Sequence, residues 1–145
     1  MSRRDGRVIA FQALYSWDVS KASLEDLLDF SWLQKDSEIK SGKQEELSQI
    51  AKDDRTFASL LIAGTIEHID EIDQMIKDNL SSNWSMERIN RVSLAILRIS
   101  LYEIKFQSDS QMRIVIDEAV NMAKIYGPDD SYKFVNAILD NIAKK

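Results

Sequence analysis

Apolar residues dominate the stretch Val8, Ile9, Ala10, Phe11, Ala13, Leu14, Tyr15, Trp17 and Val19, leaving on a helical wheel only a narrow polar stripe of Gln12, Ser16 and Ser20. A helix that is apolar nearly all round is predicted to be central and buried. Arg3, Arg4 and Arg7 fall within one third of that wheel, one turn apart at its solvent end, where they could face a ligand together. A second helix is predicted over 24–34, with Leu24, Leu27, Leu28 and Leu33 on one side and Ser23 as its cap. Residues 35–45 are polar, include Gly42 and read as a loop. The next helical pattern begins between 46 and 54, carries Phe57, Leu60, Leu61 and Gly64, and continues through Ile69, Ile72, Met75, Ile76 and Leu80. Gly64 and the Asp70–Asp73 region predict a break in it near residue 68.

Ser81-Ser82-Asn83 closes that stretch, and Ser85 is the expected cap of a long, largely buried helix over 86–106, with Glu87 near its positive end. Two more helices are predicted over 113–126, from Ile116, Ala119, Val120, Ala123 and Tyr126, and over 131–143, from Val135, Ile138, Leu139 and Ile142. Between them Gly127-Pro128-Asp129-Asp130 combines a glycine C-cap, a proline break and an aspartate N-cap. The pattern predicts an all-α protein of six or seven helices, with no solenoid period and no linker, forming one unit over residues 1–145.

Composition agrees with helices. Four glycines and one proline in 145 residues are too few for a β protein built on tight turns. The absence of cysteine excludes disulfides and thiolate metal sites and fits a reducing compartment, the cytoplasm. Gln12, Ser16 and Asp18 interrupt any signal-peptide pattern behind the arginines, and no window approaches the roughly 18 apolar residues of a membrane span. The net charge of −5 argues against a general polyanion binder, but residues 1–22 carry four basic and two acidic groups while residues 23–111 carry ten and seventeen. A basic tip on an acidic body makes any nucleic-acid contact local, because the placement of Lys and Arg sets phosphate affinity.

No catalytic machinery is visible. His68 is the only histidine and has no cysteine to share a metal with, so it reads as a surface or half-buried residue at a helix break. No glycine-rich phosphate loop, HExxH or nucleophile elbow occurs. Neither a cofactor nor a metal is expected. The arginine tip reads either as solvated charge or as a set of planar phosphate donors. Tyr126, Tyr132 and Phe134 bracket the Gly127–Asp130 elbow beside Lys133, and read either as core or as the stacking platform of a single-stranded RNA reader. Composition does not choose between them.

Four segments carry a resemblance. Arg3-Arg4-x-x-Arg7 with Gln12-Ala13-Leu14-Tyr15, then Leu97-Arg98-Ile99-x-Leu101-Tyr102-Glu103, then Ile116-Asp117-Glu118-Ala119-Val120-x-x-Ala123-Lys124, and finally Tyr126-Gly127-x-x-Asp130-Ser131-x-Lys133-Phe134-Val135-Asn136 resemble the NusB family in order and spacing over about residues 3–143. The resemblance implies two packed helical subdomains and a role in transcription antitermination. In that role the family binds the boxA segment of ribosomal-RNA leader transcripts together with NusE, a small-subunit ribosomal protein, and joins RNA polymerase. It implies RNA contacts at Arg4, Arg7, Tyr15, Tyr126, Asp130, Lys133 and Phe134, with Arg3 in the same tip, and a NusE-facing surface around the fifth helix with Glu87 and Ser93 as candidates. Asp5-Gly6 departs from the more basic, alanine-rich tip of relatives and is expected to fray the first turn. Arg98 and Glu103 are expected to be polar groups tying buried helices together.

Two other functions fit the same residues. One is the NusB-like recognition module of an RNA cytosine methyltransferase, against which stands the end of the chain at Lys145 with no methyl-donor domain. The other is a helical scaffold that binds proteins only. The free state is expected to be a monomer or a homodimer.

Overall fold

A computed structural model describes residues 3–29, 44–107 and 111–143, with side chains described over 3–29, 55–107 and 111–143. Among these residues there are seven α-helices and no strand: α1 (Arg3–Val19), α2 (Leu24–Asp29), α3 (Gln44–Glu67), α4 (Ile69–Asp78), α5 (Arg91–Phe106), α6 (Met112–Tyr126) and α7 (Ser131–Ala143), with a 3-10 turn at Met86–Arg88. The all-α expectation is met. The end of the helix predicted to residue 34 and the loop predicted over 35–45 fall outside the described residues up to 43, and the chain is already helical at Gln44.

The organising element is α5, whose residues from Ser93 through Glu103 are all buried. Helices α1, α3, α4, α6 and α7 pack around it. Helices α1, α2 and α3 form one packed group and α4, α6 and α7 the other, with α5 shared between them. Among the described residues, only this stretch of α5 is enclosed on every side. The expectation that α1 is equally central is corrected, because Tyr15 and Val19 are exposed and Val8, Ile9 and Trp17 are half-buried.

The start of α5 also differs from expectation. The Asn90 side chain accepts hydrogen bonds from the backbone N–H groups of Val92 (3.0 Å) and Ser93 (3.2 Å), satisfying two of the donors that a helix start leaves open. Ile89 is buried with extended backbone, so it separates the 3-10 turn from α5. Ser85 therefore precedes only the short turn. At the start of α2, Ser23 caps as predicted, its hydroxyl accepting from the Asp26 N–H at 3.1 Å.

The break near residue 68 is present, and His68 separates α3 from α4. Hydrogen bonds from His68 N–H to Gly64 and from Ile72 N–H to His68 carry the ladder across it. Gly64 faces the Tyr102 ring so closely that a Cβ there would collide with it, which lets α3 lie against α5. The rings of His68, Phe106 and Tyr102 continue this seam, His68 to Phe106 at 4.1 Å and Tyr102 to Phe106 at 5.5 Å.

Two buried charges of α5 are matched by other helices. Glu103 receives Arg7 of α1 in a fork, from Nε at 2.8 Å and Nη2 at 2.7 Å. Arg98 donates to both carboxylate oxygens of Asp73 on α4, at 2.9 and 3.0 Å, and lies 3.9 Å from Asp18 of α1. The expectation for Arg98 and Glu103 is met.

Removing one partner of a buried pair strands the other charge, at a cost of about 3–5 kcal/mol. Glu103→Leu is expected to lower the urea-unfolding free energy by that amount. The double variant Arg7→Met/Glu103→Leu is expected to recover most of it. Equal stability of the single and double variants would show that the pair is not the lock between α1 and α5.

Candidate nucleic-acid interface

The three arginines of the tip go to three places. Arg3 is exposed and lies over the Phe57 ring of α3, its guanidinium carbon 4.8 Å from the centroid. Arg4 turns the other way, toward α6, and donates to Glu118 from Nε (3.0 Å) and Nη2 (3.0 Å). That carboxylate raises the Arg4 pKa by hydrogen bonding and by its charge. Arg7 points into the core, 7% exposed. Its expected place beside the other two at an RNA surface is therefore corrected, since it is buried and its Nε–Nη2 edge is forked onto Glu103. The helix runs from Arg3 through Asp5 and the buried Gly6.

Arg4, Phe11 and Tyr15 share one face of α1, at spacings of seven and four residues. Alongside it, α6 presents Glu118 to Arg4 and Tyr126 to Phe11, whose rings lie 5.1 Å apart at 51°. The two helices thus run in the same direction across α5, leaving Tyr15 and Tyr126 exposed on their outer side.

The elbow ends this face. The Gly127 N–H closes α6 on the Ala123 carbonyl at 2.9 Å. Gly127 has φ −90°, so the left-handed conformation is not what requires glycine here. A Cβ would strike the Ser131 hydroxyl and lie 2.8 Å from the Ala123 carbonyl. Asp130 instead takes the left-handed conformation, with φ 66°, which aspartate tolerates better than most residues. Its carboxylate sits 3.6 Å from Lys133 Nζ one turn along, and both side chains are exposed. Lys124 of α6 lies 4.9 Å from the Tyr132 ring centroid and Lys133 lies 6.0 Å from it, so two ammonium groups flank one half-buried ring. No local pattern pairs Lys124 with Tyr132, because the two are eight residues apart across the elbow.

Phe134 faces a different neighbour. It is half-buried, packs on the core, and tilts toward Trp84 with ring centroids 6.4 Å apart. Both line an open cleft of about 290 Å³ together with Asn79, Leu80, Ser81 and Ile138. Trp84 is 43% exposed, and the Arg88 guanidinium lies 5.9 Å from its ring. A single tryptophan in a polar loop has no periodic partner, so sequence patterning did not mark it.

The two candidate partner contacts separate as well. Glu87 is exposed, and its own backbone N–H, then the Ser85 hydroxyl, hold its carboxyl below the usual carboxylate range. Ser93 is 1% exposed inside α5, which corrects its expected place on a partner-facing surface. Among the described residues, no cluster of histidine and acidic side chains suits a metal ion. No helix there is long and apolar enough to cross a membrane.

The model of the NusB family matches residues 4–144. The chain belongs to that family. Transcription antitermination protein NusB of Treponema denticola is 50% identical over 145 residues, covering all of this chain and 98% of that protein. The protein of the same name from Treponema pallidum is 41% identical over 144 residues, covering 99% and 94%. Among solved structures, T. maritima NusB superposes with a TM-score of 0.80 at 32% identity, covering 100% of this chain and 92% of that one. A crystal structure of antitermination factors NusB and NusE in complex with dsRNA gives a TM-score of 0.79 at 29% identity, covering 98% and 96%. These relatives are named for transcription antitermination.

In this NusB-family chain the elbow depends on the missing Cβ at Gly127. Gly127→Ala is expected to lower stability by about 1–3 kcal/mol through overpacking, read as a shift of the urea midpoint at unchanged m-value. An unshifted midpoint would mean that the α6–α7 turn yields without cost.

Proposed function

We propose that the chain is a cytoplasmic transcription antitermination factor that binds single-stranded boxA RNA of ribosomal-RNA leader transcripts together with NusE, and that it acts as one RNA-binding unit within the RNA polymerase antitermination complex. The observation that carries this reading is the continuous face of α1 and α6, with Arg4 at one end, exposed Tyr15 and Tyr126 along it, and Asp130 and Lys133 at the elbow. Exposed aromatic rings beside cations are what unstacked bases and their phosphates need. Arg3 extends the charge toward α3 and Phe134 supplies a half-covered ring toward Trp84. The solved relative that holds NusE and dsRNA supports NusE and RNA as partners. Glu87, exposed on the 3-10 turn, is the remaining candidate for the NusE-facing surface.

With a net charge of −5, the chain has few phosphate contacts to offer, so binding is weak alone and tighter with NusE. A gel-shift assay with the organism's own leader RNA, with and without NusE, tests this. Arg4→Ala is expected to weaken binding to every RNA sequence and to flatten the salt dependence, by a slope of about 0.7 for one lost phosphate contact. Tyr126→Ala is expected to cost roughly 1–3 kcal/mol of boxA affinity with little change in melting temperature. Phe134→Ala is expected to lower both affinity and melting temperature, because that ring is half-buried. NusE binding without any RNA binding would favour a protein-only scaffold instead.

A further inference from the structure

Glu118 belongs to neither the arginine tip nor the elbow, yet it is the residue through which the tip is joined to α6. Its side chain is 14% exposed, while that of Arg4 is 63% exposed. A mostly buried carboxylate thus holds a mostly exposed guanidinium. Three short contacts define the hold: Nε to Oε2 at 3.0 Å, Nε to Oε1 at 3.3 Å and Nη2 to Oε1 at 3.0 Å. A fork of this kind fixes the guanidinium plane as well as its position. The hold also spans α1 and α6, which touch again at the Phe11 and Tyr126 rings two turns further along.

We propose that Glu118 is a positioning residue for RNA, holding Arg4 by the Nε edge so that its guanidinium stands at a fixed place on the α1–α6 face and meets a phosphate already oriented. The inference rests on the RNA-binding function proposed above. Two effects of the carboxylate oppose each other. Its negative charge diminishes the attraction of Arg4 for a phosphate, and its fork removes the freedom that a long arginine side chain would otherwise lose on binding. The charge effect is weakened by solvent and salt at an exposed guanidinium. The orientation effect is not screened, so it prevails.

The test is a double-mutant cycle of Arg4→Ala, Glu118→Gln and the pair, read as affinity for a fluorescein-labelled boxA RNA in the presence of NusE at one fixed salt concentration. Glu118→Gln is expected to weaken RNA binding about three- to tenfold when Arg4 is present and to have no further effect in the Arg4→Ala background. A role confined to holding α1 against α6 would weaken both backgrounds equally, and that result overturns the proposal. Tighter RNA binding by Glu118→Gln would show that the carboxylate competes with phosphate, which also overturns it. Unchanged binding by Glu118→Gln, alongside a clear loss for Arg4→Ala, overturns this inference while leaving the RNA function standing. No RNA binding by the unsubstituted protein with NusE overturns both.

Discussion

A carboxylate buried in the middle of a bundle has to be met by a cation, because an unpaired charge in a low-dielectric interior costs several kcal/mol. Glu103 is fully buried in α5, and Arg7 meets it in a fork. The consequence reaches beyond the pair, because it sets the rotation of α1 about its own axis. At about 100° per residue, Arg3 stands roughly 40° to one side of Arg7 and Arg4 roughly 60° to the other. With Arg7 inward, Arg3 is carried to Phe57 of α3 and Arg4 to Glu118 of α6. One buried bond thereby distributes the whole basic tip.

A second polar lock acts at the far end of the same helix. Asp18 meets Arg91 at 3.2 Å and approaches Arg98, which is itself forked onto Asp73 and stacked over Trp17. Helix α1 is thus pinned to α5 near both of its ends, and the pairing of Arg7 with Glu103 and Asp18 with Arg91 makes the two helices antiparallel. Hydrophobic burial supplies most of the driving force, through residues such as Leu14, Leu61, Leu97 and Leu139. It is non-directional, however, and α1 has enough half-buried apolar positions to tolerate several rotations. Buried ion pairs add little net stability, and their use here is to select one rotation.

The helices themselves were legible because their apolar spacing is strong. The break at His68, the Ser23 cap and the two final helices all stand where the pattern put them. Directions were less legible. Arg3, Arg4 and Arg7 share a third of a wheel, and no one-dimensional pattern tells which of them a buried glutamate 96 residues away will draw inward. Ser85 and Asn90 are both good caps, and the choice of Asn90 follows from burying Ile89, a tertiary event. Ser93 was read from a family position, but its place on the enclosed stretch of α5 hides it. The ring partners of Trp84 and Lys124, Phe134 and Tyr132, lie far away in sequence or across the elbow, so no local pattern pairs them.

The placement of charge on the candidate face bears on how an acidic protein would read RNA. Two of its cations stand beside carboxylates of the same chain, Arg4 with Glu118 and Lys133 with Asp130. Pairing of this kind lowers the surface potential that draws in any polyanion, so indiscriminate phosphate binding is suppressed. What such a face retains is fixed geometry, with oriented guanidinium and ammonium groups beside exposed rings. A ligand gains from it only when phosphates reach the cations and unstacked bases reach Tyr15 and Tyr126 together. Phosphate contacts set position while base contacts set sequence, and a face whose cations are held in place by neighbouring carboxylates rewards a phosphate only where it arrives in register with the bases. Selectivity is then achieved by the register that the acidic partners fix as much as by what the aromatic rings add.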